Sequence, residues 1–157
     1  MTPADHTHST IAPCTGCGKR NRLPDSATGV PTCASCHQPL PWQVDATDDS
    51  FAAAVDTRLA VLIDLWAPWC GPCRAVSPAV EEIGRRLAGR LKTVKVNVDD
   101  APAVASRLGV QGIPTLLMWR NGHEVARQVG ALPAAQLERW VTDHLDAPVV
   151  PDPQGRR

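Results

Sequence analysis

The sequence predicts an α/β protein: one strand-and-helix domain of ordinary size, with a small cysteine-rich ribbon in front of it. Three observations carry this reading. An apolar run, Ala60 to Trp66, gives way to an amphipathic run, Arg74 to Leu87, with two cysteines at the junction. An alternating stretch, Thr93 to Val98, and a hairpin pattern from Leu116 to Val129 supply further strands. Upstream, four cysteines fall in a C-x₂-C-x₁₅-C-x₂-C spacing.

The 157 residues leave room for one domain and an appendage. Sixteen basic and sixteen acidic residues cancel, so no broad field draws the chain to nucleic acid or to an anionic membrane. No apolar stretch approaches the ~20 residues of a membrane span. The first thirteen residues lack the apolar core of a secretory signal, which points to a soluble, intracellular protein. In a reducing compartment six cysteines point to metal binding and redox catalysis rather than to a disulfide framework.

Residues 1–12 carry no periodicity and read as a mobile leader; His6 and His8 within it read as solvated. Residues 13–40 form the ribbon. Its ligand set is Cys14, Cys17, Cys33 and Cys36, two tight knuckles whose sulfurs converge on one Zn²⁺, with Gly16 and Gly18 permitting the turns. Four thiolates close the coordination sphere, so the zinc is structural. His37 is an alternative fourth ligand, but the cysteines suffice. Between the pairs Leu23 and Val30 stand out as large apolar residues, so the metal must supply much of the folding energy. Lys19, Arg20 and Arg22 form a basic cluster, yet no aromatic residue precedes Trp42 to stack on a base.

Pro39-Leu-Pro41 is a stiff linker, and the main domain runs over residues 42–146. Trp42 to Val44 predicts a brief edge strand. Asp48-Asp49-Ser50 offers cap residues for a helix over Phe51 to Asp56. Ala60 to Trp66 reads as a strand buried on both faces, interrupted by Asp64, whose carboxyl should titrate high unless something pairs with it. Lys95, on the following strand, is a candidate partner if the two strands are neighbours. Cys73, Val76, Val80, Ile83 and Leu87 mark the buried stripe of the long helix, with Pro78 kinking it. Pro102 opens a short helix that ends near Gly109. Asn121-Gly122 turns a hairpin between Leu116–Arg120 and His123–Val129. Leu137, Val141 and Leu145 mark a closing helix, and residues 147–157 read as disordered.

The chemistry concentrates at Trp66-Ala-Pro-Trp69-Cys70-Gly71-Pro72-Cys73. A thiolate at Cys70 would sit at a helix N-terminus, where unpaired N–H groups and the macrodipole lower its pKa. Cys73, one turn on, can close a ring with it. Gly71 allows the turn, and Pro72 suits an early helical position.

This segment resembles the active site of thioredoxins. The resemblance runs from about Trp42 to Leu145 and rests on Asp64, Trp66 to Cys73, Pro78, Lys95, Ile113-Pro114-Thr115, Asn121-Gly122 and Gly130. Together with the ribbon, the chain is similar to the zinc-bearing bacterial thioredoxins of type 2, which are cytoplasmic. The resemblance implies a thioredoxin fold, a central mixed sheet flanked by helices, behind the zinc ribbon. It also implies a cis Ile113-Pro114 bond opposite the cysteines. Cys70 is then the nucleophile and Cys73 the resolving thiol, with Asp64 carrying the proton and Lys95 beside it. Trp69, Gly71, Pro72, Ile113, Pro114, Gly130 and Ala131 form the docking face for substrate.

The implied activity is reduction of protein disulfides by a monomer that needs one zinc and no organic cofactor of its own. Its implied partners are an NADPH-dependent thioredoxin reductase and disulfide-containing proteins, with no nucleic acid or membrane. One departure is the aromatic content: there is no Tyr and one Phe, and Leu65 and Met118 stand where many thioredoxins place Phe. A reading from another class is a non-enzymatic chaperone or binding module whose ribbon answers oxidation by releasing zinc. An oxidase or isomerase is the same chemistry run the other way.

Overall fold

The computed structural model describes residues 10–27 and 29–146. Residues 1–9, with His6 and His8, and the expected tail at 147–157 lie outside the described residues. Among the described residues there are two sheets. A two-stranded antiparallel sheet pairs β1 (Thr10–Pro13) with β2 (Arg20–Leu23). A five-stranded mixed sheet has the order β3-β5-β4-β6-β7. Its strands are β3 (Trp42–Ala46), β4 (Ala60–Trp66), β5 (Leu91–Asn97), β6 (Thr115–Arg120) and β7 (His123–Val129). β3, β5 and β4 run parallel, and β6 and β7 antiparallel.

Alternation along the strands divides the core in two. Val61, Ile63 and Leu65 of β4 face one layer with Val94 and Val96, joined by α1 (Phe51–Ala54) and α3 (Pro102–Arg107). Leu62 of β4 faces the other with Leu116 and Met118, under α2 (Gly71–Arg86) and α4 (Ala134–His144). The stripe read from α2 is the one that is buried: Cys73, Val76, Val80 and Ile83. The helix continues through Pro78, which donates no N–H to the turn before it. Asn121 and Gly122 take φ of 52° and 81°, the left-handed pair that a two-residue hairpin requires.

Local details depart from the sequence reading. β1 begins at Thr10, so residues 10–12, read as leader, form a strand of the ribbon. Ser50 caps α1 without a side-chain bond. Asp48 caps a different helix: its Oδ1 accepts the Val104 N–H at 2.8 Å and its Oδ2 the Ala103 N–H at 3.3 Å. A carboxylate there satisfies first-turn donors of α3, whose own Ala101 offers no side-chain acceptor. Val30, one of two large apolar residues noted in the ribbon, is exposed.

The ribbon is seated on the edge of the large sheet. Leu23, Leu40, Cys14 and Cys33 belong to the same buried cluster as Trp42 and Val44. Two successive carbonyls of the ribbon are held from the sheet: Trp42 Nε1 donates to Pro24 O and Lys92 Nζ to Asp25 O, each at 2.8 Å. Lys92 is completely buried and its ammonium lies 3.9 Å from the Trp42 ring centroid. Burial pushes its pKa down to about 8, partly countered by the Asp25 carboxylate. At Gly89, φ is 87° and an added Cβ would stand 2.8 Å from Pro39 Cβ, so the linker approaches the backbone where only glycine fits.

Candidate active site and metal centre

Cys70 ends the loop after β4 and is the N-cap of α2, in extended conformation. Its sulfur accepts the Cys73 N–H at 3.2 Å, the capping bond an Asp or Ser oxygen would otherwise make. A charge on Cys70 Sγ therefore meets a donor already aimed at it, together with the positive end of a sixteen-residue helix. In this structure Cys70 and Cys73 are joined as a disulfide, with Cα atoms 5.3 Å apart. Both are buried, Cys70 at 5% and Cys73 at 2% exposure.

The surroundings bring the other candidate residues to one place. The Ile113-Pro114 peptide is cis, and Ile113 O lies 3.9 Å from Cys70 Sγ. Pro114 O accepts the Gly130 N–H at 2.8 Å, and Gly130 has φ of 93°, so β7 ends beside the cysteines in a conformation suited to glycine. Trp69 is 68% exposed while its Nε1 donates to Asp99 Oδ2 at 3.0 Å, so an exposed ring is held at a fixed angle. Val129 adds a second exposed apolar side chain, and Gly71, Pro72 and Ala131 are exposed as well. Gly71 differs from expectation: its φ is not positive and a Cβ there would meet nothing within 4 Å. The turn does not need glycine; the small residue leaves open space next to Cys70.

Asp64 is 1% exposed and neither carboxylate oxygen has a hydrogen-bond partner among the described residues. Burial raises its pKa to about 6, with the Lys95 charge acting the other way. Asp64 and Lys95 are cross-strand neighbours in register, as their pairing required. The ammonium, however, does not close on the carboxylate: Lys95 Nζ donates to Ser77 Oγ of α2 at 3.1 Å and lies 4.8 Å from the Trp66 ring centroid. Two polar residues that the motifs do not mark, Ser77 and Lys92, make contacts that matter to the site and to the seating of the ribbon. Ser77 hides among small residues of α2. Lys92 does leave a signal: β5 begins at Leu91, and alternation along it places Lys92 on the buried face with Val94 and Val96.

The four ribbon cysteines converge, their sulfurs all within 4.8 Å of one another. Cys14 and Cys36 sulfurs are 3.5 Å apart and Cys17 and Cys33 sulfurs 3.6 Å. A tetrahedron with metal–sulfur bonds of about 2.3 Å has edges of about 3.8 Å, so the donor set fits a zinc-sized ion. The two knuckles are built alike. Gly18 N–H donates to Cys14 O and His37 N–H to Cys33 O, both at 2.9 Å. Gly18 and His37 take the equivalent left-handed positions, φ 77° and 64°. His37 is thus the turn residue of the second knuckle, and it stands outside the ligand cluster. Gly16 has no positive φ; an added Cβ would overlap the Gln38 side chain.

Polar hydrogens also point at the sulfurs. Cys14 Sγ accepts the Gly16 N–H at 3.3 Å; Cys33 Sγ accepts the Ser35 N–H at 3.4 Å and Asn21 Nδ2 at 3.5 Å. A backbone N–H from Cys36 and these donors bring Cys33 down to about 6. For Cys36 a Gln38 N–H works downward, but the neighbouring sulfurs and burial outweigh it and push the thiol up to about 12. All four sulfurs can be thiolate together only with a cation between them to offset their mutual repulsion.

A helix-capping cysteine joined in a disulfide to a second one a turn further on, at the end of a strand of a mixed sheet, is an arrangement suited to thiol–disulfide exchange, and the comparisons place the chain among the thiol–disulfide oxidoreductases. Residues 43–143 match the thioredoxin family, and the chain belongs to it. The chain is 45% identical over 97 residues to a thioredoxin of Haemophilus influenzae, covering 62% of this chain and 91% of that one. It is 47% identical over 100 residues to thioredoxin 1 of a Nostoc species, covering 63% and 94%. A thioredoxin of Porphyra purpurea is 43% identical over 100 residues, again covering 63% and 94%. The family match begins after all four ribbon cysteines. Among the described residues no helix is long and apolar enough to cross a membrane.

Proposed function

We propose that the protein is a protein-disulfide reductase in which Cys70 attacks and Cys73 resolves. The observation that carries this is the Cys73 N–H aimed at Cys70 Sγ at the start of α2. Cys70 thiolate attacks one sulfur of a substrate disulfide; a Cys70–substrate disulfide forms and the other substrate sulfur leaves as thiolate. Cys73, deprotonated, then attacks Cys70 Sγ, forming the Cys70–Cys73 disulfide and expelling the second substrate thiolate. The substrate gains two electrons and the protein loses them. Asp64, raised toward neutrality by burial, takes the Cys73 proton in this step. Lys95 sets the proton affinity of Asp64.

Substrate docks on the face made by Trp69, Gly71, Pro72, Ile113, Pro114, Gly130 and Ala131. An extended segment pairs with the Ile113 backbone as an added strand. The disulfide left on the protein is reopened by an NADPH-dependent thioredoxin reductase. The protein works as a cytoplasmic monomer of the zinc-bearing type 2. Cys14, Cys17, Cys33 and Cys36 hold one Zn²⁺, which crosslinks the two knuckles and neutralises their thiolates; the metal takes no part in electron transfer. The test is reduction of insulin disulfides by zinc-loaded protein, driven by NADPH with a thioredoxin reductase and, separately, by dithiothreitol. Turnover that vanishes in Cys70→Ser is expected. No turnover with either donor, in folded protein, refutes the reading and favours a binding module.

A further inference from the structure

Lys95 stands between two carboxylates. In register across the sheet, Asp64 of β4 is its neighbour on one side and Asp45 of β3 on the other. The two differ in setting: Asp64 is buried, whereas Asp45 is exposed on the rim of a groove of about 830 Å³. Asp25, Asp49 and Asp100 line the same groove, and Trp66 and Lys95 form part of its wall. The four carboxylates of this groove offer the ammonium an alternative position, outward and away from Asp64. Opposing it on the inner side is one hydroxyl, Ser77 Oγ, 3.1 Å from Lys95 Nζ, with the Trp66 ring below.

We propose that Ser77 is a positioning residue: it tethers the Lys95 ammonium on the inner side of this groove and so holds a positive charge beside Asp64. The consequence is electrostatic. Lys95 is the charge that acts on Asp64, and its pull downward opposes the burial that pushes the carboxyl up. The other charged groups packed around it, Asp45 on β3 and Asp25, Asp49 and Asp100 across the groove, act on the position of the lysine. On β6, the register neighbour of Asp64 is the uncharged Leu116. Ser77 follows Cys73 by four residues on α2, so the tether belongs to the same helix that carries the resolving thiol. The inference deepens the reading of Asp64 as proton carrier, and its test keeps the two apart.

The experiment is an NMR titration of the Asp64 carboxyl carbon in the oxidised, zinc-loaded protein, assigned by its loss in Asp64→Asn. In Ser77→Ala the ammonium moves out and the Asp64 midpoint rises by on the order of 0.5 pH unit. Ser77→Thr, which keeps the hydroxyl, restores the midpoint. Adding Asp45→Asn to Ser77→Ala reverses part of the rise, because one source of the outward pull is gone. Lys95→Met raises the midpoint at least as far, and Ser77→Ala then adds nothing. An unchanged or lowered midpoint in Ser77→Ala overturns the proposal, as does a full rise in Ser77→Ala on the Lys95→Met background. The pH profile of mixed-disulfide resolution is recorded alongside. If the midpoint moves as stated and that profile does not follow it, the tether stands and the proton-carrier reading of Asp64 falls.

Discussion

Asp64→Asn tests how the buried carboxyl shapes both stability and chemistry. The folded carboxyl titrates near 6, against 3.8 for the unperturbed group, because burial penalises the charged form more than Lys95 relieves it. That difference of about 2 pH units corresponds to about 3 kcal/mol. The sign follows from proton counting. Between about pH 4 and 6 the folded state keeps a proton that the unfolded state has released, so stability falls as pH rises through this window. Above it, the protein carries a charged, unpartnered carboxylate at full cost. Asparagine cannot ionise, so this slope is absent from the variant. The assay is urea unfolding of oxidised wild type and Asp64→Asn at pH 4 and pH 8. The stability of wild type relative to the variant should be about 2.4 kcal/mol lower at pH 8 than at pH 4, because the unfolded carboxyl is already more than half ionised at pH 4. Any fixed effect of the buried amide cancels in that comparison. A pH-independent difference would refute the burial argument. Resolution of the mixed disulfide should also slow in the variant above pH 6.

Other perturbations probe the ribbon. Lys92 is held at about 8, below its ordinary value, so wild type should gain stability relative to Lys92→Met as pH rises from about 8 toward 10; thermal melts across that range decide it, and a flat difference would mean that Lys92 is solvated. Gly18→Ala should cost about 1 kcal/mol, since φ is 77° and nothing within 4 Å would clash, leaving backbone strain as the cause; chemical unfolding of the metal-loaded protein reads this. His37→Ala should keep one zinc per chain by metal analysis, whereas Cys33→Ser should lose it. Removing the metal with a chelator should loosen the ribbon's hold on Trp42 and red-shift the indole emission, a change expected to be smaller in Trp42→Phe.

The main domain was readable because its signals are periodic. The alternating valines of β5, the spaced stripe of α2 and the Asn-Gly turn are each set by local geometry, and the register they imply places Asp64 beside Lys95. The contact between the two did not follow, because register positions Cα atoms while an ammonium on a four-carbon stem has several acceptors within reach; here it takes Ser77. The cysteine spacing announced the four-sulfur cluster. It could not announce where the ribbon sits, because docking uses backbone carbonyls at Pro24 and Asp25, and carbonyls leave no mark in a sequence. Asp48 reads as a cap for the helix next to it in sequence, yet its carboxylate serves one 55 residues away, a partnership that only tertiary structure creates. The motif makes Gly71 look like a turn requirement, yet its φ is not positive and a Cβ would fit; the motif alone does not separate a conformational glycine from one that keeps a surface clear.

The division of labour between the two active cysteines is tested most directly by trapping. Reduced Cys73→Ser protein, with zinc bound, is mixed with a disulfide-bonded peptide and its mass is measured intact and after digestion. A single covalent adduct that maps to Cys70 and persists, while the wild type releases reduced peptide, is the expected result. No adduct, or one that maps to the ribbon cysteines, would contradict the assignment of Cys70 as nucleophile.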